Sequence, residues 1–346
     1  MENLKTYRSW ELLKKGKASD AFKETTKDAK PLESGMLRIR VHAFGLNYAD
    51  VLSRKGLYKD APPYPFVPGY EAAGEVIDIA DDVDSSWLGK AVFAFTRFGG
   101  YSQIIDSSPL LAVEIPENYS FSEATALGTQ YTTAWCLCKE WTRVQPKDKV
   151  VILSAAGGVG QALISFLKPL GTELYLGSRS KEKAEALAQE HRAYPLVYSL
   201  KRPWYTGMPP KIKADVVFDP IGGASVGKGI KHLAPGGRIL SYGVAMRSEK
   251  LSFFRDVSML WGFGLHHPIS LLLGSKSLLT LNMLRIAEQR PDLLGNWMQK
   301  VVKEASSPNF PKPKVHTFAW NQLPEAHEFL GSGKSMGKLA VDCIGT

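Results

Sequence analysis

The sequence predicts an α/β protein with two domains, one rich in β-strands and one built on a doubly wound parallel sheet. Three observations support this fold class. The chain has 346 residues, which is enough for two hydrophobic cores. Residues 1–123 show short strand patterns, whereas residues 124–280 alternate apolar strands with helices. Strands that are each followed by a helix are typical of a parallel sheet covered on both faces.

The N-terminal stretch contains three predicted strands. Met36–Val41 alternates apolar and charged side chains like a half-buried strand, and Gly69–Asp78 and Lys90–Phe95 are the second and third. Proline and glycine interrupt the chain between them, as in Ala61–Pro65. This pattern predicts a small β-rich domain.

The middle stretch carries the strand–helix alternation. The predicted strands are Lys149–Leu153, Glu173–Leu176, Ala214–Phe218 and Gly237–Ser241, and the predicted helices are Gly158–Leu170 and Lys181–Glu190. The first strand is a continuous apolar run, as expected of a parallel strand that is buried on both faces.

The last stretch, residues 281–346, returns to a helix (Leu293–Glu304) and a terminal strand (Lys338–Asp342). Such a tail can complete the sheet of the first domain. The predicted organisation is therefore a discontinuous domain of residues 1–123 and 281–346, and a second domain of residues 124–280.

Composition limits the classes of function. The three cysteines (Cys136, Cys138 and Cys343) form no disulfide framework, which indicates a reducing compartment and a cytoplasmic location. The first two lie in an apolar, helix-like run, which predicts buried thiols rather than a metal site. The net charge of +9 comes from scattered basic residues without a nucleic-acid motif, so no nucleic-acid partner is expected. We expect neither a signal peptide nor an integral membrane segment.

A glycine-rich turn lies between the first strand and the first helix of the middle stretch. Ala155-Ala-Gly-Gly-Val-Gly160 follows the G-x-G-x-x-G pattern with alanine in the first glycine position. Any tight turn can use glycine, but the strand–turn–helix context favours a dinucleotide. Gly157 would let backbone N–H groups approach a pyrophosphate, and Gly160 would let the helix pack closely on the strand. We predict cofactor contacts along Ala156, Gly157, Gly158 and Val159.

The end of the second strand of this domain predicts the type of nicotinamide cofactor. An NAD site normally places an acidic residue there to accept the ribose hydroxyls. Here Ser178 and Arg179 follow the strand, with Lys183 on the next turn, and no acid occupies the end position. These groups suit a 2′-phosphate and therefore NADPH. An ordinary solvated helix start is the alternative.

Several motifs are spread over nearly the whole chain. They are Gly45-Leu-Asn-Tyr-Ala-Asp50, Arg54-x-Gly56-x-Tyr58, Val67-Pro-Gly-Tyr-Glu-Ala-Ala-Gly74, the turn at 155–160, Asp219-Pro-Ile-Gly-Gly223 and Leu240-Ser-Tyr-Gly243. As a set they resemble the quinone oxidoreductase and ζ-crystallin type of the medium-chain dehydrogenase/reductase superfamily. Together with the run Gly227–Gly237, they look most like its vesicle-amine-transport-protein-1-like branch. The resemblance implies a GroES-like catalytic domain, a Rossmann cofactor domain and a substrate cleft between them.

Departures from the zinc-dependent alcohol dehydrogenases predict a site without metal. In that branch a cysteine ligand stands where this chain has Asn47, and a histidine ligand stands where it has Tyr70. Ala49 replaces the hydroxyl residue of the proton relay, and the third ligand falls in the segment 128–130, which has no cysteine. Since a catalytic zinc needs three protein ligands, we expect no zinc.

The resemblance also implies roles for single residues. Cofactor contacts are implied at Asn47, Thr133, Tyr198, Gly222, Gly243, Val244 and Lys338. Each has an ordinary alternative: a turn residue for Asn47, a helix-interior hydroxyl for Thr133, a strand aromatic for Tyr198 and a solvated lysine for Lys338.

Asn47, Tyr58 and Tyr70 are the candidate catalytic residues, with the two tyrosines as donors in a substrate pocket. No residue is required as the general acid, so the proton can come from solvent. His266 and His267 are more consistent with a helix start or packing than with acid catalysis. The aromatic stretch Phe253–His267 fits either a cleft lining or an interface.

Without a Lewis acid, oxidation of a simple alcohol lacks a means of stabilising the alkoxide. The sequence therefore predicts NADPH-dependent reduction of a quinone or an α,β-unsaturated carbonyl, both of which delocalise the incoming charge. The alternative is an NADPH-binding, vesicle-associated interaction protein with weak or no turnover, since a fold does not fix an activity. The resemblance further implies a homodimer joined through the cofactor domains, whose sheets would extend edge to edge, with Arg238–Val244 and Phe253–Phe263 as candidate interface segments.

Overall fold

The structure is a computed structural model that describes residues 5–199, 201–243, 261–264 and 266–344. Its strands are β1 (Thr6–Leu12), β2 (Phe22–Asp28), β3 (Leu37–Leu46), β4 (Glu71–Ile79), β5 (Ala91–Phe95), β6 (Ile104–Ser107), β7 (Ala112–Glu114), β8 (Lys149–Ile152), β9 (Glu173–Ser178), β10 (Tyr194–Val197), β11 (Ala214–Asp219), β12 (Leu233–Ser241), β13 (Ser277–Thr280), β14 (Val315–Ala319) and β15 (Lys338–Asp342).

The α-helices named here are α1 (Ala18–Ala21), α2 (Tyr48–Arg54), α3 (Phe121–Ala126), α4 (Thr132–Trp135), α5 (Gly158–Leu167), α6 (Lys181–His191), α7 (Ala224–Gly229), α8 (Pro268–Gly274), α9 (Met283–Gln289), α10 (Pro291–Ala305) and α11 (Leu323–Gly331). None of the helices in the described ranges is long and apolar enough to cross a membrane.

The chain divides into two compact units. The N-terminal unit combines Met1–Thr132 with Met283–Thr346, and the central unit is Thr133–Asn282. The sequence placed the two boundaries at residues 123 and 280. The observed first boundary lies inside a helical run in which α3 and α4 are joined by a π-helical turn, Leu127–Tyr131.

The central unit contains a parallel sheet with the strand order β10-β9-β8-β11-β12-β13. Numbered from β8, this is the order 3-2-1-4-5-6 of a doubly wound nucleotide-binding sheet, so the predicted fold class is confirmed. The order reverses between β8 and β11, and ligands of such sheets bind at the carboxyl ends of the strands near this switch point. Val151, Leu153, Val217 and Ile239 lie in its buried core.

The N-terminal unit contains a second, mainly antiparallel sheet with the order β14-β15-β3-β4-β5-β7, and β6 also pairs with β3. The predicted terminal strand, Lys338–Asp342, is confirmed as β15, which is antiparallel to β3. β3 continues to Leu46, beyond the predicted end at Val41, because its second half pairs with both β4 and β15. The core of this unit includes Phe44, Tyr101 and Trp320.

The three cysteines form no disulfide and are buried, and for Cys136 and Cys138 the sequence predicted this burial. Cys136 and Cys138 are at most 1% exposed. Burial raises the pKa of the Cys136 thiol, so it stays protonated and acts as a small apolar side chain.

Candidate functional site

The glycine-rich turn joins β8 to α5 at the carboxyl edge of the central sheet. Gly157 caps the helix with extended backbone (φ −75°, ψ 168°), and its N–H donates to Ser154 O at 2.9 Å. A Cβ placed on Gly157 would meet a single atom within 4 Å, Ser154 O at 3.3 Å. A Cβ on Gly160 would overlap Ala155 Cα, Ala155 O and Ser154 O, all at 2.6 Å. The two glycines therefore serve different purposes: one keeps a surface open, and the other lets the helix approach the backbone of the turn.

Tyr198 directly follows β10 and reaches this turn. Its Oη lies 3.2 Å from Ser154 N, which donates to it, and 3.1 Å from Ser154 Oγ. Burial raises the pKa of Tyr198, so its hydroxyl is neutral. Tyr198 thus supports the glycine-rich turn, a link that its position at a strand end did not reveal.

Ser178, Arg179 and Lys183 lie together where β9 passes into α6. Ser178 Oγ accepts a hydrogen bond from Ser180 N at 3.2 Å, and Ser180 caps the helix by accepting from Lys183 N. Ser178 is buried and Arg179 is exposed. The helix-start alternative and the anion-site prediction are compatible, because Ser180 is the residue that caps the helix.

Two further predicted cofactor positions follow β11 and β12 at the same edge of the sheet. Asp219 Oδ1 accepts from Ile221 N at 2.6 Å and from Gly222 N at 2.9 Å, which fixes a turn where Gly222 adopts φ 80°. Burial raises the pKa of Asp219 to about 6. Gly243 packs against Pro220, and a Cβ there would lie 2.8 Å from Pro220 O. The predicted contact at Val244 lies outside the described residues.

In the N-terminal unit, Asn47 stands between the end of β3 and the start of α2. Its backbone N–H donates to Asp50 Oδ2 at 2.8 Å, and its side-chain Nδ2 donates to Glu71 Oε1 at 2.8 Å. The side chain is 8% exposed. Asn47 occupies the N-cap position of α2, and its carboxamide is engaged in a buried polar cluster.

At the centre of that cluster is an ion pair between Lys338 and Glu71, which was not predicted from the sequence. Lys338 Nζ contacts Glu71 Oε1, and both side chains are at most 1% exposed. Lys338 Nζ also lies 3.3 Å from Leu46 O and 3.5 Å from Asn47 Oδ1. The solvated-lysine interpretation of Lys338 is therefore wrong, because its ammonium is buried and paired. The missed signal was a glutamate and a lysine that each begin a strand whose next two residues are apolar.

Asp50 is a second buried carboxylate next to this cluster. It is 1% exposed, and Oδ1 accepts from Gly69 N at 3.2 Å. Burial is the main cause that raises the pKa of Asp50 to about 7, and the negative charge of Glu71 adds to the increase. Tyr101 packs nearby, and its Oη lies 3.0 Å from Nε2 of the buried His327.

Tyr58 and Tyr70 are close neighbours, with ring centroids 6.2 Å apart in an edge-on arrangement. Burial raises the pKa of Tyr58 to about 12 and raises that of Tyr70 further. Both hydroxyls are therefore neutral donors at physiological pH. The buried Tyr70 Oη has no hydrogen-bond partner among the described residues, although Ser53 and Tyr58 lie nearby.

The other sequence candidates lie in ordinary helical settings. Thr133 is a buried residue of α4. His267 caps α8, with Nδ1 accepting from Ile269 N at 3.3 Å, which agrees with the predicted helix-start role. Much of the aromatic stretch 253–267 lies outside the described ranges.

The side chains at the zinc-ligand positions do not fit a zinc ion. Asn47 and Tyr70 are poor zinc ligands, and the amide of Gln130 is no replacement for a thiolate. Within the described ranges, no group of three or more His, Cys, Asp or Glu residues is arranged to hold a metal ion.

The predicted edge-to-edge interface at Arg238–Val244 needs correction. Residues 238–241 belong to β12, which pairs with β11 on one side and with β13 on the other. Their backbone hydrogen bonds are used within the sheet, so this segment cannot extend it. Among the described strands, β13 occupies that edge of the sheet.

Two family models match the chain. The alcohol dehydrogenase GroES-like domain matches residues 33–112, and the zinc-binding dehydrogenase model matches residues 197–341.

The chain is similar to two curated vertebrate proteins. It is 29% identical to the synaptic vesicle membrane protein VAT-1 homolog of Danio rerio over 347 residues, covering 98% of this chain and 71% of the relative. It is 35% identical to the Homo sapiens protein of the same name over 214 residues, covering 61% of this chain and 54% of the relative. The alignment therefore spans only about half of the human protein.

Solved structures share the fold over nearly the full length of the chain. The human VAT-1 homolog-like protein matches with a TM-score of 0.82 at 23% identity, covering 99% of both chains. The quinone oxidoreductase of Coxiella burnetii matches with 0.79 at 22%, covering 98% of this chain and 99% of the other. Mycobacterial Rv1454c, solved with NADPH, matches with 0.80 at 20%, covering 97% and 99%. The predicted combination of a GroES-like and a Rossmann domain is confirmed.

Proposed function

We propose that the chain is a zinc-independent NADPH-dependent oxidoreductase of the medium-chain dehydrogenase/reductase type that reduces a quinone or an α,β-unsaturated carbonyl. The two family models and the similarity to the VAT-1 homologs support this proposal. The observation that carries this proposal is the open face of Gly157 at the switch point of the sheet, together with Arg179, which directly follows β9, and Lys183 in the first turn of α6.

The residues at this edge of the sheet fit NADPH. The N-terminus of α5 offers unpaired backbone N–H groups and a partial positive charge to a pyrophosphate. Ser178, Arg179 and Lys183 would bind the 2′-phosphate through charge-assisted hydrogen bonds. Bound NADPH supplies a hydride. We assign further cofactor contacts to Asn47, Thr133, Tyr198, Gly222, Gly243 and Val244. The resemblance also implied Lys338, but its ammonium is buried and paired with Glu71, so we assign it an indirect role.

The proposed class of hydride acceptor depends on how the negative charge formed by hydride addition is stabilised. Hydride addition places negative charge on the acceptor, and no metal is available to neutralise it if the site lacks zinc. Quinones and enones spread this charge over a conjugated system. Tyr58 and Tyr70 have raised pKa values, so they can donate hydrogen bonds but do not ionise readily. They are therefore suited to bind an oxygen that becomes negative, and we propose that solvent supplies the proton.

The test is a substrate panel of quinones, enones and aldehydes, assayed with NADPH and with NADH. We expect turnover of quinones or enones with NADPH, little turnover with NADH, and no dependence on added zinc. Tyr70→Phe should lower kcat for the accepted substrate while leaving NADPH binding unchanged, with Tyr175→Phe in β9 of the central unit as a control. Tight NADPH binding without turnover of any class would favour the interaction-protein alternative, which the names of the vesicle-protein relatives also suggest.

We also propose a homodimer joined through the central units. α8 exposes Ile269, Leu272 and Leu273, which are 57%, 75% and 82% exposed, and it precedes the edge strand β13. Exposed apolar clusters of this kind are typical of association sites, and an edge strand can pair with its copy across a two-fold axis. Light scattering should report a dimer for the wild type and a monomer for Leu272→Asp with Leu273→Asp, while Leu110→Asp should remain dimeric. A wild-type monomer at working concentration contradicts this assembly.

A further inference from the structure

The Lys338–Glu71 ion pair spans the strand that lies between its two members. Lys338 begins β15 and Glu71 begins β4, and both strands pair with β3. The side chains meet over Gly45 of β3, where a Cβ would overlap Glu71 Oε1 and the end of the Lys338 side chain. A glycine at position 45 is therefore required for the pair to form.

The same pair holds both ends of the Asn47 carboxamide. Nδ2 donates to Glu71 Oε1 at 2.8 Å, and Oδ1 faces Lys338 Nζ at 3.5 Å. A flipped carboxamide would place its oxygen against the carboxylate and its NH₂ against the ammonium. Because both contacts would then be repulsive, the two charges select one orientation of the amide.

We propose that Glu71 and Lys338 are positioning residues that make Asn47 a hydrogen-bond donor to its ligand. In the selected orientation Oδ1 is committed to Lys338, and one Nδ2 hydrogen is committed to Glu71. The second Nδ2 hydrogen has no acceptor among the described residues. Asn47 therefore presents a donor, and an oxygen of the nicotinamide ribose or of the reduced acceptor is the group that it binds. This inference rests on the proposed assignment of Asn47 to the cofactor and substrate site.

The arrangement differs from a direct role for Lys338 at the cofactor. A lysine that bound a phosphate would present its ammonium to the ligand. Here the ammonium is 1% exposed and is shared by Glu71, Leu46 O and Asn47 Oδ1. Its effect on a ligand would therefore pass through the amide of Asn47.

A double-mutant cycle distinguishes direct contact of Glu71 or Lys338 with the ligand from an effect that passes through Asn47. The pair variant, Glu71→Met with Lys338→Met, removes both charges together and avoids leaving one charge buried alone. We expect it to weaken NADPH binding or lower kcat/KM by about tenfold to a hundredfold, as Asn47→Ala should. In protein that already carries Asn47→Ala, the pair variant should lower NADPH affinity or kcat/KM by less than about a further twofold, because its effect acts through Asn47. Losses that multiply would show that Lys338 or Glu71 contacts the ligand directly and would overturn the proposal.

A second measurement does not depend on activity. In protein labelled with ¹⁵N-asparagine, the Asn47 side-chain signal is identified by its absence in Asn47→Ala. We expect slow hydrogen exchange at this NH₂ group in the wild type and fast exchange in the pair variant. The matched control replaces the exposed pair Lys90–Glu114, whose Nζ and Oε2 atoms are 3.2 Å apart, with two methionines. It should change neither the binding and kinetic constants nor the exchange rate of the Asn47 NH₂ group. An Asn47 signal unchanged in the pair variant refutes the positioning role even if the protein turns over quinones. Normal NADPH binding together with a normal kcat/KM in Asn47→Ala would instead refute the assignment of Asn47 in the proposed function.

Discussion

Replacing Gly157 by alanine should separate cofactor binding from folding. The backbone of Gly157 has a negative φ of −75°, which alanine adopts without strain. The added Cβ meets only Ser154 O within 4 Å, at 3.3 Å. Alanine is a slightly poorer helix cap than glycine, but it also restricts the unfolded chain. These effects nearly cancel, so the free energy of unfolding should change by less than about 1 kcal/mol.

The same methyl group would lie where the pyrophosphate must approach the first turn of α5. Each charge-assisted hydrogen bond lost there costs about 1.5–3 kcal/mol. Losing one or two of them should weaken NADPH binding by about a hundredfold. Since the pyrophosphate is common to both nicotinamide cofactors, NADH binding should weaken by the same factor.

Gly160→Ala is the matched comparison in the same turn. Its Cβ would lie 2.6 Å from three backbone atoms, so the helix must move away from the turn. Overpacking of this kind costs about 1–3 kcal/mol. The assays are fluorescence titration with NADPH and urea unfolding of both variants. Wild-type affinity in Gly157→Ala would refute the placement of the pyrophosphate, and equal destabilisation of the two variants would refute the division of roles.

Three further predictions follow from the same residues. Arg179→Ala should weaken NADPH binding by about tenfold to a hundredfold and leave NADH binding nearly constant in parallel titrations; equal losses for both cofactors would assign Arg179 to another role. Asp50 is buried beside Glu71, Lys338 and Tyr101, and its pKa is raised from 3.8 to about 7 in the folded protein. Its contribution to the free energy of unfolding is therefore greatest below pH 4 and is lost as the pH rises through 7. Asp50→Asn should flatten the dependence of the free energy of unfolding on pH between about pH 5 and pH 8, and an unchanged slope would contradict the buried protonation. Elemental analysis should find no stoichiometric zinc, and chelators should leave activity unchanged; about one zinc per chain would refute the argument from the ligand positions.

The parts of the fold that the sequence predicted are those fixed by neighbouring residues. The turn at 155–160, the helix that follows it and the strand Lys338–Asp342 each have a local pattern of glycine or apolar residues. The full length of β3 was not predictable in this way, since its second half is a strand because β4 and β15 pair with it. In the same way, nothing local shows that β12 lies inside the sheet, because its neighbour β13 comes 36 residues later.

In the candidate site, too, contacts between residues that are distant in sequence could not be predicted. The sequence identified Asn47 and Lys338 separately, and it passed over Glu71. Glu71 and Lys338 are 267 residues apart, and only the pairing of three strands brings them together over Gly45. Spacing along the chain carries no information about such a contact. A charged residue that is followed directly by apolar strand residues, as Glu71 and Lys338 are, indicates that a buried partner is needed.

The pairing of β15 with β3 has a consequence for synthesis on the ribosome. The residues of the central unit, 133–282, emerge before β15, so that unit can fold while the N-terminal sheet still lacks the strand that borders β3. Until residue 338 emerges, Glu71 has no cation and Leu46 O has no donor from Lys338. The nascent N-terminal sheet therefore cannot be completed until residues 338–342 have been translated. A chain that stops before β15 should remain dependent on chaperones however well its central unit folds.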